Sequence, residues 1–166
     1  MIDDRIPSII NSAVIALIKG DCKKAKNLIN SIDKDSLYDE RAKLMELASA
    51  SKSNWSGIHE ESASRLSVSP KLLKEIYSRD KYTCCYCNRK TIDLDVLKII
   101  SKLLPDDLPY VNSWKFDICH PIYWVYSTSF EHVTPVAGGG TNEKNNIRAS
   151  CYLCNDAKKD IPLDVL

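Results

Sequence analysis

The sequence predicts an α+β protein, and three observations support this prediction. Apolar residues recur at helical spacing near the start of the chain. Two β-favouring stretches, around residues 130 and 147, flank a glycine-rich segment, and the second leads into a further helix. Cysteines occur as two C-x-x-C pairs, one well before this segment and one at its end. We therefore expect a helical N-terminal part and, in the C-terminal half, a unit of two strands and a helix (ββα).

Length and charge restrict the class of protein. The chain has 166 residues, with 23 Lys and Arg against 22 Asp and Glu. This length allows one ordinary domain or two small ones. A net charge of +1 excludes the strongly cationic footprint of many nucleic-acid-binding domains. Any binding of nucleic acid must then depend on a local basic cluster or on a metal ion.

Residues 1–52 predict three short helices. The apolar run at residues 9–18 has helical spacing and ends before Gly20. Asp21 is placed to cap the second helix, and Ser36 with Asp39 has the pattern of a capping box for the third. The apolar run is too short to span a bilayer, so we expect a cytoplasmic protein with no membrane partner. The N-terminal helices would offer a surface to a protein partner or to a second copy in a homodimer.

Residues 53–69 are polar and serine-rich without periodicity, which predicts a linker. Ser69 and Pro70 form an N-cap and first-turn pair, so a helix should begin there and end near Asp80. Residues 91–129 predict a helix stopped by Pro105 and then an aromatic, β-favouring stretch. That stretch should lead into a strand at residues 130–133.

The two C-x-x-C pairs predict a metal centre. Each pair places two thiolates on one turn, and two facing turns complete the four-sulfur tetrahedral geometry typical of structural zinc. Seven cysteines, an odd number arranged in pairs, favour metal binding over disulfides. A redox role is disfavoured because no βαβ pattern surrounds either pair. The expected ligands are Cys84, Cys87, Cys151 and Cys154.

Polar residues with catalytic chemistry cluster around the predicted ββα unit. Glu131 and His132 lie on the first strand, ahead of three consecutive glycines at residues 138–140. Asn146 precedes the second strand, and Asn155 follows the last cysteine. The ββα arrangement would present His132, Asn146 and Asn155 towards one point.

This pattern strongly resembles the HNH endonuclease family. The chain has a C-x-x-C pair, an acidic residue followed by His, a glycine-rich loop, an Asn, and a C-x-x-C pair followed by Asn. The resemblance runs from Cys84 to Lys158 and implies a zinc-stapled ββα-metal (HNH) nuclease domain over residues 70–166. The chain has Asn155 where many members have His, as in the HNN variant, and Glu131 where Asp is more frequent. Residues 91–129 form an insertion longer than the minimal motif has.

The resemblance implies a metal-dependent endonuclease that hydrolyses DNA phosphodiester bonds. His132 would be the general base, since histidine exchanges protons near neutral pH. Glu131 and Asn155 would hold one Mg²⁺ or Mn²⁺ through oxygen atoms, as such hard cations prefer. Asn146 would hydrogen-bond the loop backbone and fix the His132 segment. The products would carry 5′-phosphate and 3′-hydroxyl ends.

Basic residues in and beside the motif would supply the local cluster that the net charge conceals. Two alternatives stay open, namely a non-catalytic zinc-knuckle module that binds nucleic acid or a protein, and a nuclease directed at RNA. The motif does not fix base specificity or distinguish nicking from double-strand cleavage. The residues expected to contact phosphates are Arg79, Arg89, Lys90, Lys144, Arg148, Lys158 and Lys159.

Overall fold

A computed structural model describes residues 5–52 and 67–158. It confirms the predicted α+β class, with helices through the N-terminal part and a two-stranded antiparallel sheet near the C-terminal end. Residues 53–66 of the predicted linker lie outside the described residues, and the predicted domain boundaries stay predictions. Within the described residues the elements are α1 (Ile6–Ile18), α2 (Cys22–Asn30), α3 (Lys34–Lys52), α4 (Pro70–Arg79), α5 (Leu94–Leu103), α6 (Ile122–Tyr126), β1 (Thr128–His132), β2 (Ile147–Cys151) and α7 (Tyr152–Lys158).

The N-terminal helices form as the sequence predicts, with one correction at a helix start. Asp21 caps α2 by accepting a hydrogen bond from the backbone N–H of Lys24 at 2.9 Å. Helix α3 begins at Lys34 because Asp33, and not Ser36, accepts the capping hydrogen bond, donated by the Ser36 N–H. A carboxylate at this position also interacts favourably with the helix dipole. No helix among the described residues has both the length and the apolar character needed to cross a membrane.

Helix α3 joins the N-terminal part to the rest of the chain. It packs against α6 and α7, whereas α1 and α2 pack mainly against each other. Ile18 and Leu47 stay exposed on these N-terminal helices. The partner surface expected there stays a prediction.

Helix α4 confirms its sequence signals. The Ser69 hydroxyl accepts from the Leu72 N–H at 3.2 Å, and Pro70 occupies the first turn. The next helix, α5, ends just before Pro105 as predicted, and Asp93 caps its start.

Residues 122–126 form a helix, although their aromatic and β-branched side chains favour a strand. All five residues of α6 are buried, so packing on every side decides their conformation rather than local preference. His120 supports the start of α6, because its Nδ1 accepts a hydrogen bond from the Ile122 N–H at 3.2 Å. The strand begins only after α6, at Thr128.

The ββα unit consists of β1, β2 and α7. Thr128 pairs with Cys151 and His132 with Ile147 at the two ends of the antiparallel ladder. Helix α7 packs back on β1, and α4 covers β2. Because alternate side chains of a strand point to opposite faces, Glu131 lies on the face opposite to His132.

The buried His120 makes stability depend on pH. Burial lowers its pKa to about 3, with a smaller contribution from Lys34. Below about pH 6.5, His120 binds a proton in the unfolded chain but stays neutral in the folded chain. The free energy of unfolding therefore falls as the pH falls. We expect wild-type protein to lose about 1 kcal/mol more than His120→Asn between pH 7 and pH 5.5 in urea titrations.

The Asn control keeps an acceptor for the Ile122 N–H. Equal losses of unfolding free energy in the two proteins would contradict the assignment of this proton to His120.

Candidate active site and metal centre

Four cysteines converge as the sequence predicts. The Sγ atoms of Cys84, Cys87, Cys151 and Cys154 all lie within 4.8 Å of one another. In the described part of the chain no other group of three or more His, Cys, Asp or Glu side chains is placed to hold a metal ion. Contacts with the neighbouring sulfur atoms, Cys151 first, lower the pKa of Cys84 to about 6 and lower that of Cys87 as well. Thiolates in this arrangement fit a structural zinc ion.

Backbone hydrogen bonds close the first cysteine turn and join it to β2. The Cys85 N–H donates to the Ala149 carbonyl of β2 at 3.0 Å, and within the turn the Cys84 N–H donates to the Arg89 carbonyl at 2.9 Å. Asn88 closes the first turn with a φ of 59°, a conformation that Asn tolerates well. The first turn is thereby attached directly to β2.

Arg89 is buried beside the sulfur cluster, which corrects its predicted role as a phosphate contact. Its side chain is 3% exposed and forms an ion pair with Glu40 of α3. Its Nε donates to the Cys87 Sγ at 3.2 Å, and its guanidinium lies 5.0 Å from the centre of the Tyr126 ring. With these partners Arg89 stabilises a thiolate and a carboxylate inside the protein and is inaccessible to a nucleic acid.

Lys158 is likewise buried, with its side chain 1% exposed. Its Nζ donates to Glu131 Oε1 at 2.6 Å, so the predicted phosphate contact at Lys158 is wrong for this conformation. Burial raises the pKa of Glu131, and the hydrogen bond from Lys158 opposes that shift. The carboxylate predicted to bind a hard metal ion is therefore neutralised here by an ammonium group.

Asn155 lies against the same strand as Glu131. Its Nδ2 donates to Ser129 Oγ and to the Phe130 carbonyl, both at 2.8 Å. Ser129 and Glu131 share one face of β1. Helix α7 places Asn155 against that face, so the two predicted ligands, Glu131 and Asn155, lie on the same side of the strand. That face is opposite to the one that carries His132, so the convergence of His132 with Asn155 on one point stays a prediction that this arrangement does not support.

His132 has a partner that the sequence reasoning missed. Its Nε2 lies 2.8 Å from Asn142 Oδ1. An amide oxygen only accepts hydrogen bonds, so this contact assigns the proton of a neutral ring to Nε2 and the lone pair to Nδ1. Asn142 lies in the glycine-rich loop but is not part of the motif. Nothing in the sequence distinguished Asn142 from Asn145 as the partner of His132.

Asn146 links two parts of the loop. Its Oδ1 accepts from the Thr134 N–H at 2.9 Å, and its Nδ2 donates to the carbonyls of Thr134 and Thr141 at 3.1 and 2.8 Å. Gly140 permits this closure, because a Cβ atom there would lie 1.8 Å from the Thr134 carbonyl oxygen. The loop that carries Asn142 is therefore locked to the end of β1.

The remaining basic residues differ in availability. Arg79 donates to Asp80 and to the carbonyls of Lys144 and Ile147, at 2.7 and 2.6 Å, so it mainly braces the start of β2. Asp80 in turn accepts from the Ala149 N–H at 2.8 Å. Lys159 lies outside the described residues. The exposed members of the predicted set are Arg79, Lys90, Lys144 and Arg148, and of these Arg79 is engaged by the contacts just described.

A basic groove that the sequence reasoning missed runs beside α4. It encloses about 810 Å³, and its lining includes Lys71, Lys74, Arg79 and Lys144, with Glu75 among them. Glu75 pairs with Lys144 at 3.2 Å and Asp80 with Arg79 at 2.7 Å, so Lys71 and Lys74 supply the excess positive charge of the groove. Such a surface suits a phosphate backbone.

A ββα unit joined to a four-cysteine centre, with a histidine on the first strand, has the arrangement of a nuclease of the ββα-metal class. A protein-family model described as HNH endonuclease matches residues 116–160. The matched segment includes β1, the glycine-rich loop, β2 and α7, and in this part the chain is similar to HNH endonucleases. Comparison with curated proteins and with solved structures gave no match in either case.

The sulfur cluster predicts which cysteines hold zinc. Cys87→Ser should remove one ligand and abolish stoichiometric zinc in purified protein, because three thiolates and a hydroxyl bind zinc far less well. Cys85→Ser is the matched control, since Cys85 is exposed and outside the cluster. Elemental analysis should find about one zinc per chain in the control; the same zinc content in both variants would refute the assignment.

The loop closure predicts a contrast between two glycines. Gly140→Ala should destabilise the protein by roughly 1–3 kcal/mol, because the added Cβ would overlap the Thr134 carbonyl. Gly138→Ala should have little effect, since nothing lies within 4 Å of a Cβ at that position. Urea titration measures both, and equal stabilities would mean that the loop does not close as described.

Proposed function

We propose that this chain is a metal-dependent endonuclease that hydrolyses phosphodiester bonds of DNA, with His132 as the general base. The observation that carries the proposal is the hydrogen bond from His132 Nε2 to Asn142 Oδ1 at 2.8 Å, inside the segment that is similar to HNH endonucleases. It leaves Nδ1 as the basic nitrogen and fixes the direction of its lone pair. Asn146 supports this geometry by holding the loop that carries Asn142.

The proposed reaction begins with a water molecule hydrogen-bonded to His132 Nδ1. Nδ1 takes the proton as the water oxygen attacks phosphorus, the bond to the 3′ oxygen of the preceding nucleotide breaks, and that oxygen takes a proton from solvent water. Asn142 accepts a hydrogen bond from Nε2 throughout and stabilises the imidazolium that forms. The products carry 5′-phosphate and 3′-hydroxyl ends.

The oxygen donors on the α7 side of β1 fit a hard divalent cation. Glu131 offers a carboxylate and Asn155 an amide oxygen, and the carboxylate already has a cationic partner in Lys158. Mg²⁺ or Mn²⁺ held there would offset the charge on the phosphate and on the leaving oxygen. Lys158 must release Glu131 before the carboxylate can act as a ligand.

The substrate backbone would follow the exposed cations. Lys144 and Arg148 are exposed at the start of β2, and the groove beside α4 adds Lys71 and Lys74. These groups contact phosphates regardless of sequence, so they support binding without base specificity. Such binding should weaken as the salt concentration rises.

The general-base assignment predicts loss of cleavage in His132→Ala. We expect the rate of plasmid nicking in Mg²⁺ to fall by about 100- to 10,000-fold, with zinc content and folding unchanged. Asn142→Leu should reduce the rate as well because it removes the acceptor for Nε2–H. Asn142→Asp should restore part of the lost activity.

Full nicking activity in His132→Ala would overturn the proposal. Matched DNA and RNA substrates determine which backbone is cut. Binding of DNA that is indifferent to Mg²⁺, with no nicks in wild-type protein, would instead identify a non-catalytic zinc-knuckle module.

The metal assignment predicts an effect of Lys158 on ion binding. In His132→Ala protein, Lys158→Met should tighten Mn²⁺ binding by at least about tenfold, because the competing ammonium is gone. Glu131→Gln with Lys158→Met should abolish that gain. Electron paramagnetic resonance of bound Mn²⁺ measures both variants, and an unchanged affinity in Lys158→Met would exclude Glu131 as a ligand.

A further inference from the structure

An aromatic cavity lies beside β1, and none of the predicted catalytic residues lines it. It encloses about 350 Å³, within the range of small-ligand pockets. Four aromatic side chains from separate parts of the chain line it: Tyr77 of α4, Trp114 of the insertion, Phe130 of β1 and Tyr152 of α7. Walls of this composition favour a flat, apolar-faced ligand.

Trp114 occupies an unfavourable backbone conformation at the cavity. Its φ is 50°, in the left-handed region that bulky residues rarely adopt. Its ring stacks on Tyr152, with centroids 4.7 Å apart and planes at 28°. Strain of this kind persists where surrounding structure enforces it, and it is concentrated at ligand sites.

A buried hydroxyl at the cavity lacks a partner. Ser127 lines the cavity and is 1% exposed, and its Oγ makes no hydrogen bond within the described residues. Most buried hydroxyl groups are satisfied, so the Ser127 hydroxyl is available to a water molecule or to a polar ligand group that reaches it.

The cavity adjoins the proposed general base. The Phe130 ring contacts the His132 ring edge-on, with centroids 5.6 Å apart. Both side chains lie on the same face of β1, because they are two residues apart on one strand. A ligand group against Phe130 would therefore be a close neighbour of the phosphate that His132 acts on.

We propose that this cavity binds one unstacked nucleobase of the substrate strand, next to the phosphodiester that is cut. The aromatic walls stack on the faces of the base, and the Ser127 hydroxyl pairs with its polar edge. Stacking on aromatic side chains is how proteins commonly hold bases taken out of a helix. This assignment rests on the proposed nuclease function and gives the enzyme a means of choosing its cleavage position.

The test measures binding without turnover. Zinc-loaded His132→Ala protein is titrated with single-stranded oligonucleotides, in parallel DNA and RNA series, in which one abasic position is moved stepwise along the strand. We expect affinity to fall about tenfold at one position only, where the missing base would have occupied the cavity. The series that shows the drop identifies the nucleic acid that supplies the base.

Two variants in the same background link the effect to the cavity. Ser127→Ala and Phe130→Leu should remove the position dependence, and Ser127→Ala should fold normally because it breaks no hydrogen bond of the described structure. Phe116→Leu is the control, since Phe116 is an exposed aromatic that does not line the cavity. Thermal melting confirms that each variant is folded.

Affinity that is equal at every abasic position, or a drop that persists in both cavity variants, would overturn the assignment. Nicking by wild-type protein is measured separately. Nicking without the position effect refutes the base pocket alone, whereas the position effect without nicking refutes the proposed hydrolysis and leaves the pocket standing.

Discussion

The convergence of four sulfur atoms is the constraint on which the rest of the structure depends. Two of these atoms lie in the turn after α4, and the other two lie where β2 passes into α7. Arg89 extends the constraint, because it contacts a cluster sulfur with one side of its guanidinium and Glu40 of α3 with another. The helical N-terminal part is thus attached to the metal centre through one buried cation. For a centre of this kind, the free energy of zinc binding contributes directly to folding.

The same constraint sets the orientation of α7 and so places the polar side chains behind β1. With Cys151 and Cys154 held in the cluster, the next turns of the helix direct Asn155 and Lys158 at the strand. Loss of the sulfur cluster would release α7 and both contacts together. By contrast, His132 depends on the loop between the strands, where Asn146 and Gly140 close the backbone without help from the metal centre. The two halves of the candidate site therefore have separate structural supports.

Short sequence motifs correctly predicted the features that depend only on neighbouring residues. The C-x-x-C spacing identified all four clustered cysteines, and cap residues such as Ser69 located helix starts. The features that the sequence did not predict depend on which residues are buried in the folded chain. Helix α6 has strand-forming residues but is enclosed on all sides, and Arg89 is a surface-type residue whose partner, Glu40, comes from a distant helix. Asn142 was missed because its role depends on loop closure, which no spacing rule describes. Composition alone thus overestimated the number of cations available to a phosphate.

The buried pair of Glu131 and Lys158 cannot be explained by stability alone. Desolvating two charges costs about as much as their attraction returns, and an apolar pair of similar volume would pack α7 on β1 equally well. A carboxylate kept at this cost, on the face of β1 where Asn155 also lies, has a use in the proposed hydrolysis that an apolar residue could not have. The Lys158 ammonium stabilises the buried Glu131 carboxylate when no metal ion is bound. The pair carries no net charge, so no uncompensated buried charge destabilises the protein. Because the pair is enclosed by α7, exchange of the ammonium for a divalent ion requires movement of the end of that helix, beyond the cysteines that hold its first turn.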